Sequence, residues 1–223
     1  MDLSNNPTDK EITITNRKTE FVRDAMPDAW LSYAEELEEA AEVIWNCVGD
    51  VMTVKNETNI EGNMEIEKFS VHARSYILLA GFALENALKA IIITRNPNLI
   101  SSGQLHNSLK IHNLLNLAKT INDLKLTDKE EWVMRVCQGA IPYWGRYPVP
   151  LSFDGLKPTG AATGEFRQTF RQLHYRLCKL TYNAIKDGWD SEAGAQCYKI
   201  RSKRYGDEVD IKEPFLWRKE TEG

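Results

Sequence analysis

The chain has 223 residues, 42% of them hydrophobic and 27% charged, enough apolar material for one sizeable domain with extensions. Its formal net charge of −4 excludes a globally basic nucleic-acid binder, so any contact with RNA needs a local basic patch. Cys47, Cys137, Cys178 and Cys197 form no CxxC pair, and residues 1–20 lack the apolar core of a signal peptide, a combination expected of reduced thiols in a cytoplasmic protein.

Residues 1–25 are polar and aperiodic, the composition of a mobile tail. From Asp28 an amphipathic helix is expected, with Trp30, Ala34, Leu37, Ala41, Ile44 and Val48 as its buried stripe. Glu35, Glu36, Glu38, Glu39 and Glu42 crowd the other faces and read as a solvated surface, and Gly49 ends the helix. Residues 56–63 read as a turn-rich linker. A long central helix then runs from Glu67 to Arg95, where Pro97 stops it. Its stretch Tyr76–Ile93 has the length and apolarity of a membrane span. Glu85, Asn86 and Lys89 near its middle would cost several kcal/mol in a bilayer, so a buried bundle helix is expected and no membrane. Leu79, Phe82, Leu84 and Leu88 are its candidate core residues, and Glu85 and Lys89 stand four apart in the favourable order for an ion pair.

Ile111, Leu114, Leu115 and Ala118 predict a short helix, with His112 at its start in a capping or packing role. Thr127 and Glu130 form a capping box that opens the next helix, whose buried face is Trp132, Val133, Val136, Cys137 and Ala140. Residues 146–164, with Pro148, Pro150, Gly155, Pro158 and Gly160, are a loop longer than a bundle connection requires. The last long helix spans Gly164 to Lys186 on a stripe of Phe166, Phe170, Leu173, Leu177, Leu180 and Ala184. Beyond a weak hairpin signal near 197–211, no strand is expected. The fold class is all-α, an antiparallel helical bundle over 26–188 with an extra N-terminal helix and irregular tails at 1–25 and 189–223.

The last helix carries the best candidate site. At 100° per residue Arg167, Arg171 and His174 share a ridge beside the apolar stripe, with Cys178 below. Guanidinium groups bind phosphate in bidentate fashion, and imidazole can both take and give a proton near neutrality. RNA supplies its own 2′-hydroxyl nucleophile, so that pair suffices for cleavage without metal or cofactor. The bland alternative is a helix flank that packs on a neighbour or snorkels to solvent. Arg146 and Tyr147, before the stiff Pro148, either dock the long loop or touch substrate. Lys199, Arg201, Lys203 and Arg204 interleave with Tyr198 and Tyr205, a pattern able to track a nucleic-acid strand, but acidic residues follow at once. His72, with Arg74, is expected in a partly exposed first turn of the central helix, and His106, in or near the 96–107 loop, has no evident partner. No HExxH, glycine-rich phosphate loop or Ser-His-Asp order is present.

The stretch Ala-Gly-Phe-Ala-Leu-Glu-Asn-Ala-Leu-Lys-Ala (80–90), the His112-Asn113-Leu114-Leu115 helix opening and Gly-Arg-Tyr-Pro-Val-Pro (145–150) resemble the HEPN superfamily of small helical domains in prokaryotic toxin–antitoxin and abortive-infection systems. The resemblance covers residues 68–153. It implies a homodimer and, in active members, a metal-independent endoribonuclease whose motif is an Arg and a His four to six residues apart. Arg167 and His174, six residues apart with Gln168 after the Arg, fit the loose form, giving catalytic Arg167 and His174 and substrate contacts from Arg171, Arg146 and Tyr147. Arg95-Asn96 opens the tighter form, but His106 is too distant to complete it. Many such domains have lost catalysis and serve as dimerisation or interaction modules, so two readings stand: an RNA-acting defence or stress protein, or a non-catalytic module for a protein partner or nucleotide. A nucleotide would lie beside Glu85, Lys89 and Arg146.

Overall fold

The structure, a computed structural model, describes residues 9–48, 51–52, 54–58, 64–68, 73–101, 103–144, 162–191, 196–197, 200 and 202–206. The chain is mostly helical, and three long helices make its centre: α2 (Pro27–Val48), α3 (Ala73–Arg95) and α6 (Gly164–Ile185), with α1 (Asp9–Asp24) before them. Side-chain contacts fix their directions. Trp45, late in α2, packs on Tyr76, early in α3, with ring centroids 5.2 Å apart, while Trp30, early in α2, lies under the Lys89 ammonium late in α3. These two helices are therefore antiparallel. Tyr76 also meets Phe166 and Phe170 at the start of α6, and the Trp189 indole just past the end of α6 donates to the Thr94 carbonyl, so α6 runs parallel to α3 and antiparallel to α2.

As its apolarity predicts, α3 is the hub. Leu84 and Leu88 are fully buried, and Leu79 and Phe82 are partly buried against the same core. It is long and apolar enough to cross a bilayer by composition, yet most of that window is covered by the rest of the protein. The helix α5 (Asp128–Gly139) crosses it at Gly81, where an added Cβ would sit 3.0 Å from the Ile141 side chain and 3.3 Å from the Cys137 carbonyl. The capping box that opens α5 forms as expected: Thr127 accepts from the Glu130 N–H and the Glu130 carboxylate accepts from the Thr127 N–H. Val133, Cys137 and Ala140 face inward with Met134, whereas Trp132 stays 41% exposed, and the helix ends in a π turn, Ala140–Trp144. The short helix α4 (Leu114–Lys119) is capped by Asn113, and the last long helix keeps its expected start through the Thr163 cap on the Phe166 N–H.

Several sequence expectations change. Within the expected N-terminal tail, Asp9–Asp24 is a helix; its β-branched, polar middle hides the signal, and burial of Val22, Ala25 and Met26 at its end anchors it. The stretch read as a linker, and the expected first turn of the central helix, contain a hairpin instead: β2 (Val54–Thr58) pairs antiparallel with β3 (Met64–Lys68), following β1 (Val51–Met52). The run Met64-Glu65-Ile66-Glu67-Lys68 has the period of two that a strand needs, and α3 starts only at Ala73. A further short strand, β4 (Ala162–Thr163), pairs with β1 and brings the entry of α6 to the exit of α2. Finally, β5 (Trp189–Asp190) and β6 (Gln196–Cys197) form a two-residue hairpin pairing ahead of the small helix α7 (Lys203–Gly206). In α6 the buried stripe continues through Thr181, Tyr182 and Ile185, so Leu180 is 38% exposed and Ala184 faces solvent.

Candidate functional site

The Arg167–Arg171–His174 ridge faces α2, not solvent. Because α2 and α6 are antiparallel, acids four apart on one meet bases four apart on the other. Arg167 donates through Nε to both carboxylate oxygens of Glu42 at 3.2 and 3.1 Å, with its guanidinium 5.2 Å above the Trp45 ring. One turn on, the Arg171 Nε lies 3.4 Å from Glu38 and 3.6 Å from Glu42. From α7, Arg204 donates to the other Glu38 oxygen at 2.7 Å. Glu38 is only 4% exposed, so these glutamates are internal counter-ions and not the solvated face the sequence suggests.

His174 is fully buried. Its Nε2 lies 3.1 Å from the Ala34 carbonyl and 3.4 Å from the Cys178 sulfur, and its Nδ1 has no partner. A carbonyl only accepts, so Nε2 carries the proton and donates it, leaving the neutral tautomer with a bare Nδ1. Burial, first, then the charge of Arg204 and more weakly that of Arg171 hold its pKa down at about 3, against the opposing effect of the Ala34 bond. The structure thus places the expected catalytic pair on a packing surface: Arg167 is paired with Glu42, and His174 is fully buried between helices. Arg171 is likewise committed to carboxylates. Arg146, Tyr147 and His72 lie outside the described residues.

The central seam forms as its spacing predicts. Lys89 donates to Glu85 at 2.6 Å, both side chains being 6% exposed, and the His112 Nδ1 stands 3.1 Å from both Glu85 oxygens at the edge of the core. His112 therefore neither caps nor packs; it joins a buried carboxylate to the surface, while Asn113 caps α4. His106 has a partner after all: it accepts from the Ser108 N–H and so caps a 3-10 turn at Asn107–Lys110. Cys137 and Cys178 are buried, as expected of small apolar residues, and burial pushes both thiols well above the ordinary range. Among the described residues, no group of three His, Cys, Asp or Glu side chains is placed to hold a metal ion.

A second polar region was not legible in the sequence. Where α7 returns to the first half of α2, a cavity of about 390 Å³ opens between them. Asp28 and Glu35 line it from α2, Tyr182 from α6, and Ser202, Lys203 and Tyr205 from the C-terminal segment. Compared with protein-family models, curated proteins and solved structures, the chain matches none of them.

Proposed function

We propose that this chain is a non-catalytic, HEPN-like helical module that works by binding a protein partner, assembled as a homodimer, and that it is not a metal-independent ribonuclease. One observation carries the reading: the only His that follows an Arg at a workable spacing is the fully buried His174, held neutral against the Ala34 carbonyl. General acid–base catalysis needs an imidazole within hydrogen-bond reach of substrate and with a pKa near the working pH, and His174 offers neither. The arginines beside it neutralise Glu38 and Glu42, so they supply ion pairs across α2 and α6 in place of phosphate contacts.

The test incubates the purified chain with single-stranded and hairpin RNA, with and without EDTA, and analyses product ends. No cleavage above a no-protein control is expected, and His174→Gln should behave as wild type. EDTA-resistant cleavage that yields 2′,3′-cyclic phosphate ends and disappears in His174→Gln would restore the ribonuclease reading. Sedimentation velocity at micromolar concentration should give a dimer; a monomer alone would remove the assembly part of the proposal.

A further inference from the structure

We propose that the outward face of α2 is the docking site for a basic amphipathic helix of a partner protein. The inference rests on the protein-binding reading above and adds to it the face that binds and the chemistry of the partner.

α2 carries two stripes. Leu31, Ala34, Ala41 and Trp45 are buried against the bundle. On nearly the opposite side, Tyr33, Glu36, Ala40, Val43 and Cys47 follow one another at alternating steps of three and four residues, the spacing of the seam between two packed helices. All five are exposed, and Val43 at 63% and Tyr33 at 51% are the two most exposed large hydrophobic side chains among the described residues. A single exposed apolar side chain needs no explanation, but these two share one seam about 15 Å long. Ala40 lies between them, and its small side chain lets a second helix axis approach closely.

Charge selects the occupant. The charged residues of α2 are Asp28, Glu35, Glu36, Glu38, Glu39 and Glu42, with no Lys or Arg among them. The protein neutralises Glu38 and Glu42 internally through Arg204, Arg171 and Arg167. Glu36, within the seam, has no ion pair among the described residues, and Glu39 beside it is half exposed and only loosely matched by Arg204 at 3.7 Å. A second copy of α2 on this face would add like charges and bring no base to meet them. A helix with an apolar stripe flanked by Lys or Arg matches both features, its stripe covering Tyr33, Ala40 and Val43 and its cations meeting Glu36 and Glu39. Glu36 in the seam also sets the register, because a cation must stand opposite it.

The probe is a fluorescent three-heptad helical peptide with Leu and Ala at its seam positions and Lys at the flanking ones, titrated with the full chain at physiological salt and read by anisotropy. Saturable one-to-one binding is expected, at least tenfold weaker in Val43→Ser and in the Glu36→Gln/Glu39→Gln double variant. These positions are exposed, so folding is kept, and circular dichroism checks it. Glu131→Gln on α5 should bind as wild type, and a scrambled peptide of the same composition should not saturate. No saturable binding of the patterned peptide would overturn the proposal, as would equal binding of the scrambled one or of all variants, the signature of diffuse attraction to an acidic surface. A dimer that sedimentation shows to be lost in Val43→Ser would assign the face to a second copy and overturn it too. The RNA assay above decides the protein-binding reading separately: without cleavage, failure here removes only the α2 face, whereas cleavage that disappears in His174→Gln removes the reading itself.

Discussion

Lowering the pH should destabilise this protein through His174, by an amount that the burial of its ring sets. In the unfolded chain the imidazole takes up its proton near 6.5, whereas in the folded chain it resists down to about 3. The histidine term is therefore neutral to stability above 6.5, where both states are uncharged, and grows unfavourable as pH falls toward 3, because only the unfolded state gains the proton. At 1.36 kcal/mol per unit, the full effect is on the order of 5 kcal/mol, and about half of it develops between pH 6.5 and 4.5. That is a large part of the ~5–15 kcal/mol by which domains are stable. His174→Gln is the matched perturbation, since an amide N–H can still donate to the Ala34 carbonyl but cannot titrate. Urea unfolding at pH 7, 6, 5 and 4.5, followed by far-ultraviolet circular dichroism, should show wild type losing stability faster than the variant. The shared carboxylate contribution cancels in the difference. Parallel pH curves for the two proteins would mean that His174 is solvated in solution, and the argument against its catalytic role would fall with the burial.

Glu38→Gln leaves Arg171 and Arg204 without their shared carboxylate in a nearly buried position, and a loss of about 3 kcal/mol in chemical denaturation is expected. Lys89→Met strands the Glu85 carboxylate with His112 alone and should cost about 3–5 kcal/mol, whereas the Glu85→Leu/Lys89→Met pair should cost clearly less; equal losses would show that the seam is solvated. Leu84→Ala, at the centre of α3, should cost about 2–5 kcal/mol, read as a lower urea midpoint at unchanged slope. Glu130→Ala removes both the Thr127 cap partner and the Arg176 ion pair, and a loss of about 1–2 kcal/mol should appear in thermal melts at neutral pH. It should shrink in acid: burial alone would raise the Glu130 pKa, but the Thr127 bonds and Arg176 lower it on balance, so its stabilisation is present above the ordinary carboxyl range and is lost as pH falls through the lowered folded value.

What depends on neighbours along the chain was legible from residues alone. The Thr127–Glu130 capping box, the Glu85–Lys89 pair and the start of α6 at Gly164 each involve groups within one or two turns, and the structure has all three. The continuous apolarity of Tyr76–Ile93 also sufficed to place that helix at the centre, because no amphipathic surface position could accept it. Helical spacing likewise put Arg167, Arg171 and His174 on one ridge. It could not say what that ridge faces, since periodicity fixes an angle about a helix's own axis and not the sector a neighbour covers. Only tertiary packing set Glu38 and Glu42 of α2 against those arginines, buried His174, and brought Arg204 and Tyr205 across more than 160 residues to α2. The matched spacing of the two acids and two bases was present in the sequence, but an acid pair acquires its bases only when two helices fix their direction and register, and that is decided by the apolar stripes packing around α3.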